Sequence, residues 1–88
     1  METKGINILK EKLMMYNGED VVINIFHKLY GDQKIQCNLY CICDEGRIGF
    51  KTNNGQYIFI NQNDVIDYGV KDGIYFADDV MKIMIKIV

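Results

Sequence analysis

The chain has 88 residues, 49% hydrophobic and 25% charged, with a formal net charge of −2 and an isoelectric point near 5.2. This mix suits a single domain over residues 1–88, able to bury roughly 60–65% of its unfolded surface, and it excludes fibrous and disordered classes. A negative balance opposes a role in wrapping nucleic acid, which needs clustered Lys and Arg, and no apolar run is long enough to span a membrane.

Residues 6–16 read as a short helix, because Ile6, Leu9, Leu13 and Tyr16 recur at three- and four-residue spacing and make one stripe. Lys10, Glu11 and Lys12 take the wet side. Asn17-Gly18 stops the helix, since Gly accepts the positive φ that a helix end commonly requires.

The period then switches to two, and strands fill residues 20–88. Val21, Ile23, Ile25 and Leu29 share one face with His27 among them, and Gly31-Asp32 ends this first strand. The run Ile35 to Cys43 follows, and alternation puts Ile35, Cys37, Leu39, Cys41 and Cys43 on one small, apolar face. It reads as the central strand. Asp44-Glu45-Gly46 fits a three-residue hairpin loop, and Asn54-Gly55 a tight turn with positive φ at both central positions. Gly49, inside the intervening strand, marks a sharp bend. Tyr57–Ile60, Val65–Val70 and Ile74–Phe76 read as further strands, with Asp72-Gly73 a tight turn between the last two. The final strand, Val80–Val88, has Met81, Ile83, Ile85 and Ile87 on one face and Lys82, Met84, Lys86 and Val88 on the other.

Tight turns between successive strands predict hairpin neighbours. The expected fold is mainly β: a short N-terminal helix and a five- to seven-strand antiparallel meander curled into a small barrel.

A helix, a glycine turn and about five bent strands, in that order over most of the chain, resemble the Sm and Hfq family of small β-barrels. Ile60-Asn61-Gln62-Asn63-Asp64-Val65 is similar to the second Sm signature, Ile-Arg-Gly-Asn-x-Val, and keeps its Ile, Asn and Val. The resemblance implies an Sm-like barrel, ring-like assembly by strand pairing, and a nucleic-acid or partner surface at Asn61, Gln62, Asn63 and Asp64. The base-gripping Arg and Gly of that signature are replaced by Asn61 and Gln62. The first Sm signature and the Hfq Tyr-Lys-His element are also missing, which weakens any transfer of RNA binding.

Other chemistry is sparse. Cys37, Cys41 and Cys43 with His27 would be soft metal ligands if they converged. Ligands strung along one extended strand suit core packing better, and reduced thiols in a cytoplasmic setting are expected. Asp64, Asp67, Asp72, Asp78 and Asp79 lack calcium-loop spacing and read as turn and edge residues. Tyr16, Tyr30, Tyr40 and Tyr57 would stack on bases only if they lined one surface with lysines between them. No catalytic set, cofactor site or metal site assembles from the sequence.

The sequence therefore predicts a non-enzymatic small β-barrel protein acting through homo-oligomeric or protein–protein contacts, with Sm-like RNA binding as the alternative. The terminal strand is the expected oligomer edge, at Lys82, Met84 and Lys86, because it is long, β-prone and free of proline.

Overall fold

The helix forms where its apolar stripe demands it. In the computed structural model, which describes residues 3–44 and 46–88, α1 spans Thr3–Met15 and turns Ile6, Leu9 and Leu13 into the core, each no more than 2% exposed. Truncating a Leu buried to this degree costs about 2–5 kcal/mol. Tyr16 packs against the same core. The last turn tightens, with Tyr16 N–H donating to the Leu13 carbonyl at 3.1 Å, and Gly18 takes φ +86°.

The strands are β1 (Asp20–His27), β2 (Gly31–Asn38), β3 (Tyr40–Asp44), β4 (Arg47–Lys51), β5 (Tyr57–Asn61), β6 (Asp67–Gly69), β7 (Ile74–Ala77) and β8 (Met81–Ile87). One 3-10 turn, Gln62–Asp64, lies between β5 and β6. They form two antiparallel sheets, one of five strands in the order β2-β1-β8-β7-β6 and one of three in the order β3-β4-β5. Side chains of both sheets and of α1 meet in one core that includes Val21, Ile23, Phe50, Ile60, Phe76 and Ile83. Neither sheet closes into a barrel.

The run from Ile35 to Cys43 is not a central strand. It breaks at Leu39, and the chain leaves the larger sheet as its edge strand β2 to enter the smaller one as edge strand β3. The corner is held by the link between α1 and β1. Leu39 N–H donates to the Glu19 carbonyl at 2.9 Å, and the Leu39 carbonyl accepts from Gly18 N–H at 2.8 Å. Asn38 Nδ2 donates to the Gly18 carbonyl at 2.6 Å, and Asn17 Oδ1 accepts from Cys41 N–H at 3.0 Å. The alternation survives the corner: Cys37 and Leu39 are core residues, and Ile35, Cys41 and Cys43 pack against them.

Nor is the order a simple meander. β8 lies between β1 and β7, with Ile23 opposite Ile85 and Phe76 opposite Ile83. Lys82, Met84 and Lys86 thus sit on an interior strand. The expected oligomer edge is not an edge, because β8 is paired on both sides, by β1 and by β7.

Turns differ in detail. β1 ends at His27, so Leu29 falls in the Lys28–Tyr30 turn and is 80% exposed instead of sharing the strand's buried face. The Asn54-Gly55 hairpin has a five-residue loop, with Lys51 opposite Tyr57 and Gly55 N–H donating to the Thr52 carbonyl at 3.0 Å. Only Gly55 has positive φ there, so a longer loop replaces the two-residue turn. At the β3–β4 hairpin Asp44 pairs with Arg47 and Gly46 has φ +96°; Glu45 lies outside the described residues.

Gly49 is required by close approach. A Cβ there would run into the Ile58 carbonyl oxygen and stand 2.5 Å from Phe59 Cα, main-chain atoms that no side-chain rotation can move. Gly49→Ala should therefore destabilise the fold by about 1–3 kcal/mol in urea unfolding. Gly55→Ala, strained in φ but facing open space, should cost about 1 kcal/mol. An equal or smaller loss at position 49 than at 55 would show that β4 and β5 are not this close.

Candidate interaction face

Alternation in the three-stranded sheet decides which side chains meet. Ile48, Phe50 and Ile60 enter the core, so Arg47, Gly49 and Lys51 of β4 point the other way, as do Tyr57, Phe59 and Asn61 of β5. Register then aligns three cross-strand rows: Tyr40, Lys51 and Tyr57; Ile42, Gly49 and Phe59; and Asp44, Arg47 and Asn61.

The outer face is aromatic with two cations set into it. Tyr40 is 62% exposed, Tyr57 55% and Phe59 37%. Lys51 Nζ lies 5.5 Å from the ring centroids of both Tyr40 and Tyr57, and the Arg47 guanidinium 5.4 Å from that of Phe59. These separations are within cation–π range. Arg47 also forms a bidentate ion pair with Asp44, Nε donating to Oδ2 at 3.0 Å and to Oδ1 at 3.2 Å. The hydrogen bond from Arg47 holds the Asp44 carboxyl below its ordinary range. The charge on the face is thus two cations against one carboxylate, a weak electrostatic lure for a polyanion.

The expected residues scatter around this face. Asn61 belongs to it, and its Nδ2 donates to Asp64 Oδ2 at 3.3 Å. Gln62, Asn63 and Asp64 form the 3-10 turn that leaves it, tied to the β3–β4 hairpin by Gln62 N–H donating to the Gly46 carbonyl at 2.8 Å. Asn63 and Asp64 line a shallow hollow with Ile66, Asp78, Asp79 and Val80, an acidic setting that repels phosphate. Asp78 Oδ1 accepts from Val80 N–H at 2.8 Å and Met81 N–H at 2.7 Å, the turn-forming role expected of it. Among the tyrosines, Tyr40 and Tyr57 come together around a lysine. Tyr30 stacks on His27 in the β1–β2 turn, with ring centroids 4.5 Å apart, and Tyr16 packs on the core.

His27 and the cysteines do not converge. His27 Nδ1 accepts from Leu29 and Tyr30 N–H at 3.0 and 3.2 Å, shaping the turn at one end of the β1–β2 hairpin. Cys37 pairs with Val21 at the other end, six residues or roughly 20 Å away along the strand. Among the described residues no group of three or more His, Cys, Asp or Glu side chains is arranged to hold a metal ion. The described residues also include no helix long and apolar enough to cross a membrane.

The sequence reading missed Arg47, Lys51 and Phe59. The signal was present: each alternates with a core residue in a strand whose inward face is clear. Their meeting depends on register, which no single strand encodes. Compared with protein-family models, curated proteins and solved structures, the chain matches none, so function is argued from this site.

Burial raises all three thiols above the ordinary range. Cys43 is pushed up to about 12, first by burial and then by the neighbouring Cys41. A thiol that holds its proton more tightly when folded contributes stability below its unfolded pKa near 9, and that contribution is lost as pH rises toward 12. The stability difference between the native chain and Cys43→Ala should accordingly shrink between about pH 9 and 12. Reaction with a thiol reagent at pH 7.5 should be slow until denaturant is added. A difference constant with pH, or fast labelling of the folded protein at all three sites, would contradict these thiol environments.

Proposed function

We propose that the protein is a non-enzymatic interaction module that pairs with a second copy of itself along β5, using the adjoining aromatic face. A reducing, cytoplasmic setting fits its three free thiols. The observation that carries this reading is the state of the strand edges. β2 carries Asp32 and Lys34, and β6 is only three residues long and begins with Asp67. β3 is covered by α1, and Asn17 caps its Cys41 N–H. Among the described strands, β5 alone is long enough to add to, uncovered by a strand and free of charge: Tyr57, Ile58, Phe59, Ile60, Asn61. Proteins blunt exposed edges with charge, brevity or cover, and an edge with none of these is a template for another strand.

The magnitudes point to a modest complex. Four or so backbone hydrogen bonds at about 0.5–1.5 kcal/mol each, with partial burial of Phe59 and Tyr57, oppose an association cost of at least about 4 kcal/mol. Dissociation constants between about a millimolar and the micromolar range follow. Light scattering after gel filtration, over a concentration series crossing that range, should show the mass rising from the 10.2 kDa of one chain toward twice that value. Tyr57→Lys with Phe59→Lys, which places guards on the edge, should hold the mass at one chain without loss of the circular dichroism of the fold. Substituting Lys82 and Lys86 with Ala should leave dimerisation unchanged. A single-chain mass for the native protein up to about a millimolar would defeat the reading.

Lys51 between Tyr40 and Tyr57 favours one other reading, single-stranded nucleic acid stacked on the tyrosines, which also fits the resemblance to Sm proteins. With only two cations on the face, binding should be weak and depend little on salt. Titration of labelled U-rich and A-rich oligonucleotides checks it: a tight, sequence-selective complex abolished by Tyr40→Ala would replace the self-pairing account.

A further inference from the structure

Packing of α1 across β3 sets a thioether of the helix against a thiol of the strand, with a second thiol two residues further along the same strand face. Met14 Sδ lies 3.8 Å from Cys41 Sγ. Cys43, two residues on and on the same face of β3, has its Sγ 3.9 Å from the Lys10 carbonyl oxygen, one helical turn before Met14. A hollow lined by Lys10, Met14, Met15 and Cys43 opens this contact to solvent.

Core packing explains Cys37, which is 7% exposed, but accounts for Cys41 and Cys43 only in part and for Met14 hardly at all. Met14 lies off the buried stripe of Ile6, Leu9 and Leu13, and at 58% exposed it gains little from burial. Cys41 and Cys43 are only half-buried, at the seam between helix and sheet.

We propose that Met14, Cys41 and Cys43 form a three-sulfur site for a soft monovalent metal ion, Cu(I). Thiolate and thioether donors select this ion, whereas zinc favours four donors drawn from thiolate, imidazole and carboxylate. In a planar three-coordinate site with metal–sulfur bonds of about 2.3 Å, neighbouring sulfurs stand about 4 Å apart, and the Met14 to Cys41 separation is already 3.8 Å. Binding replaces the protons of both thiols: Cu(I) enters, two protons leave, and no electron is transferred. The product, two thiolates and a thioether around a single positive ion, carries one net negative charge. Lys10, whose charge favours the Cys43 thiolate, offsets it. Because both thiols are protonated at neutral pH, affinity should fall about a hundredfold for each pH unit of acidification, the slope of a two-proton exchange.

The test is competition for Cu(I) held by bicinchoninate, under anaerobic ascorbate, with the full chain. One equivalent of Cu(I) should be withdrawn. Cys41→Ser and Cys43→Ser should each weaken binding at least a hundredfold, Met14→Leu, which keeps the side-chain volume, about tenfold, and Cys37→Ser not at all. Circular dichroism verifies that each variant is folded, and the pH slope is measured on the unmodified chain, so misfolding of one variant cannot decide the outcome. No withdrawal of Cu(I), a one-proton slope, equal weakening by Cys37→Ser, or indifference to Met14→Leu would overturn the site.

Discussion

The corner at Leu39 is the constraint on which the architecture turns. A single extended strand from Gly31 to Asp44 would carry one sheet across the whole molecule. The Asn17–Glu19 link instead takes both backbone groups of Leu39, and Asn17 and Asn38 close the corner with side-chain hydrogen bonds. Buried backbone groups must be paired somewhere, and pairing them to a loop ends one ladder and starts another. Leu39 itself is 2% exposed, so the corner is anchored in the core as well as by hydrogen bonds. Two consequences follow: β3 is delivered to the helix, and the β3–β4–β5 sheet turns its other face outward.

The second long-range commitment is the ladder between β1 and β8, from Val21 opposite Ile87 to His27 opposite Met81. It brings the two ends of the described strand region together and converts a terminal strand into an interior one. Ile83 and Ile85, both fully buried, become the centre of the larger sheet. The open edges are thereby moved to β2, β6, β3 and β5, and among these described strands β5 is the one without charge, cover or brevity. The aromatic face and the unguarded edge adjoin because Tyr57 and Phe59 belong to both.

Much of the local structure was legible in the sequence. The helix stripe, the alternation of Ile83 and Ile85, and the turn glycines at 18, 31, 46, 55 and 73 are local signals, and all five of those glycines have positive φ. What stayed hidden is non-local. Alternation said that Cys37, Leu39 and Cys41 share a face, and they do, but it carried no sign that Leu39 would exchange one sheet for another. Nor does any feature of Met81–Ile87 declare that its neighbours would be β1 and β7, and placing the oligomer edge there assumed the last strand to be the outermost. The Met14 to Cys41 contact is equally non-local, since it depends on how α1 sits on β3. The match of Ile60, Asn63 and Val65 to an Sm signature falls on the end of β5, the 3-10 turn after it and the residue that follows the turn, and gives no base-gripping pair.

The most direct measurement of the proposed self-pairing at β5 is amide hydrogen exchange as a function of protein concentration. Backbone N–H groups of Tyr57–Asn61 that point away from β4 should exchange freely in dilute solution and become protected as the concentration passes from the micromolar range toward about a millimolar, while the outward N–H groups of β2 stay unprotected throughout. Protection at β5 that does not change with concentration, or that appears on β2 instead, would contradict the assignment of β5 as the edge through which two chains meet.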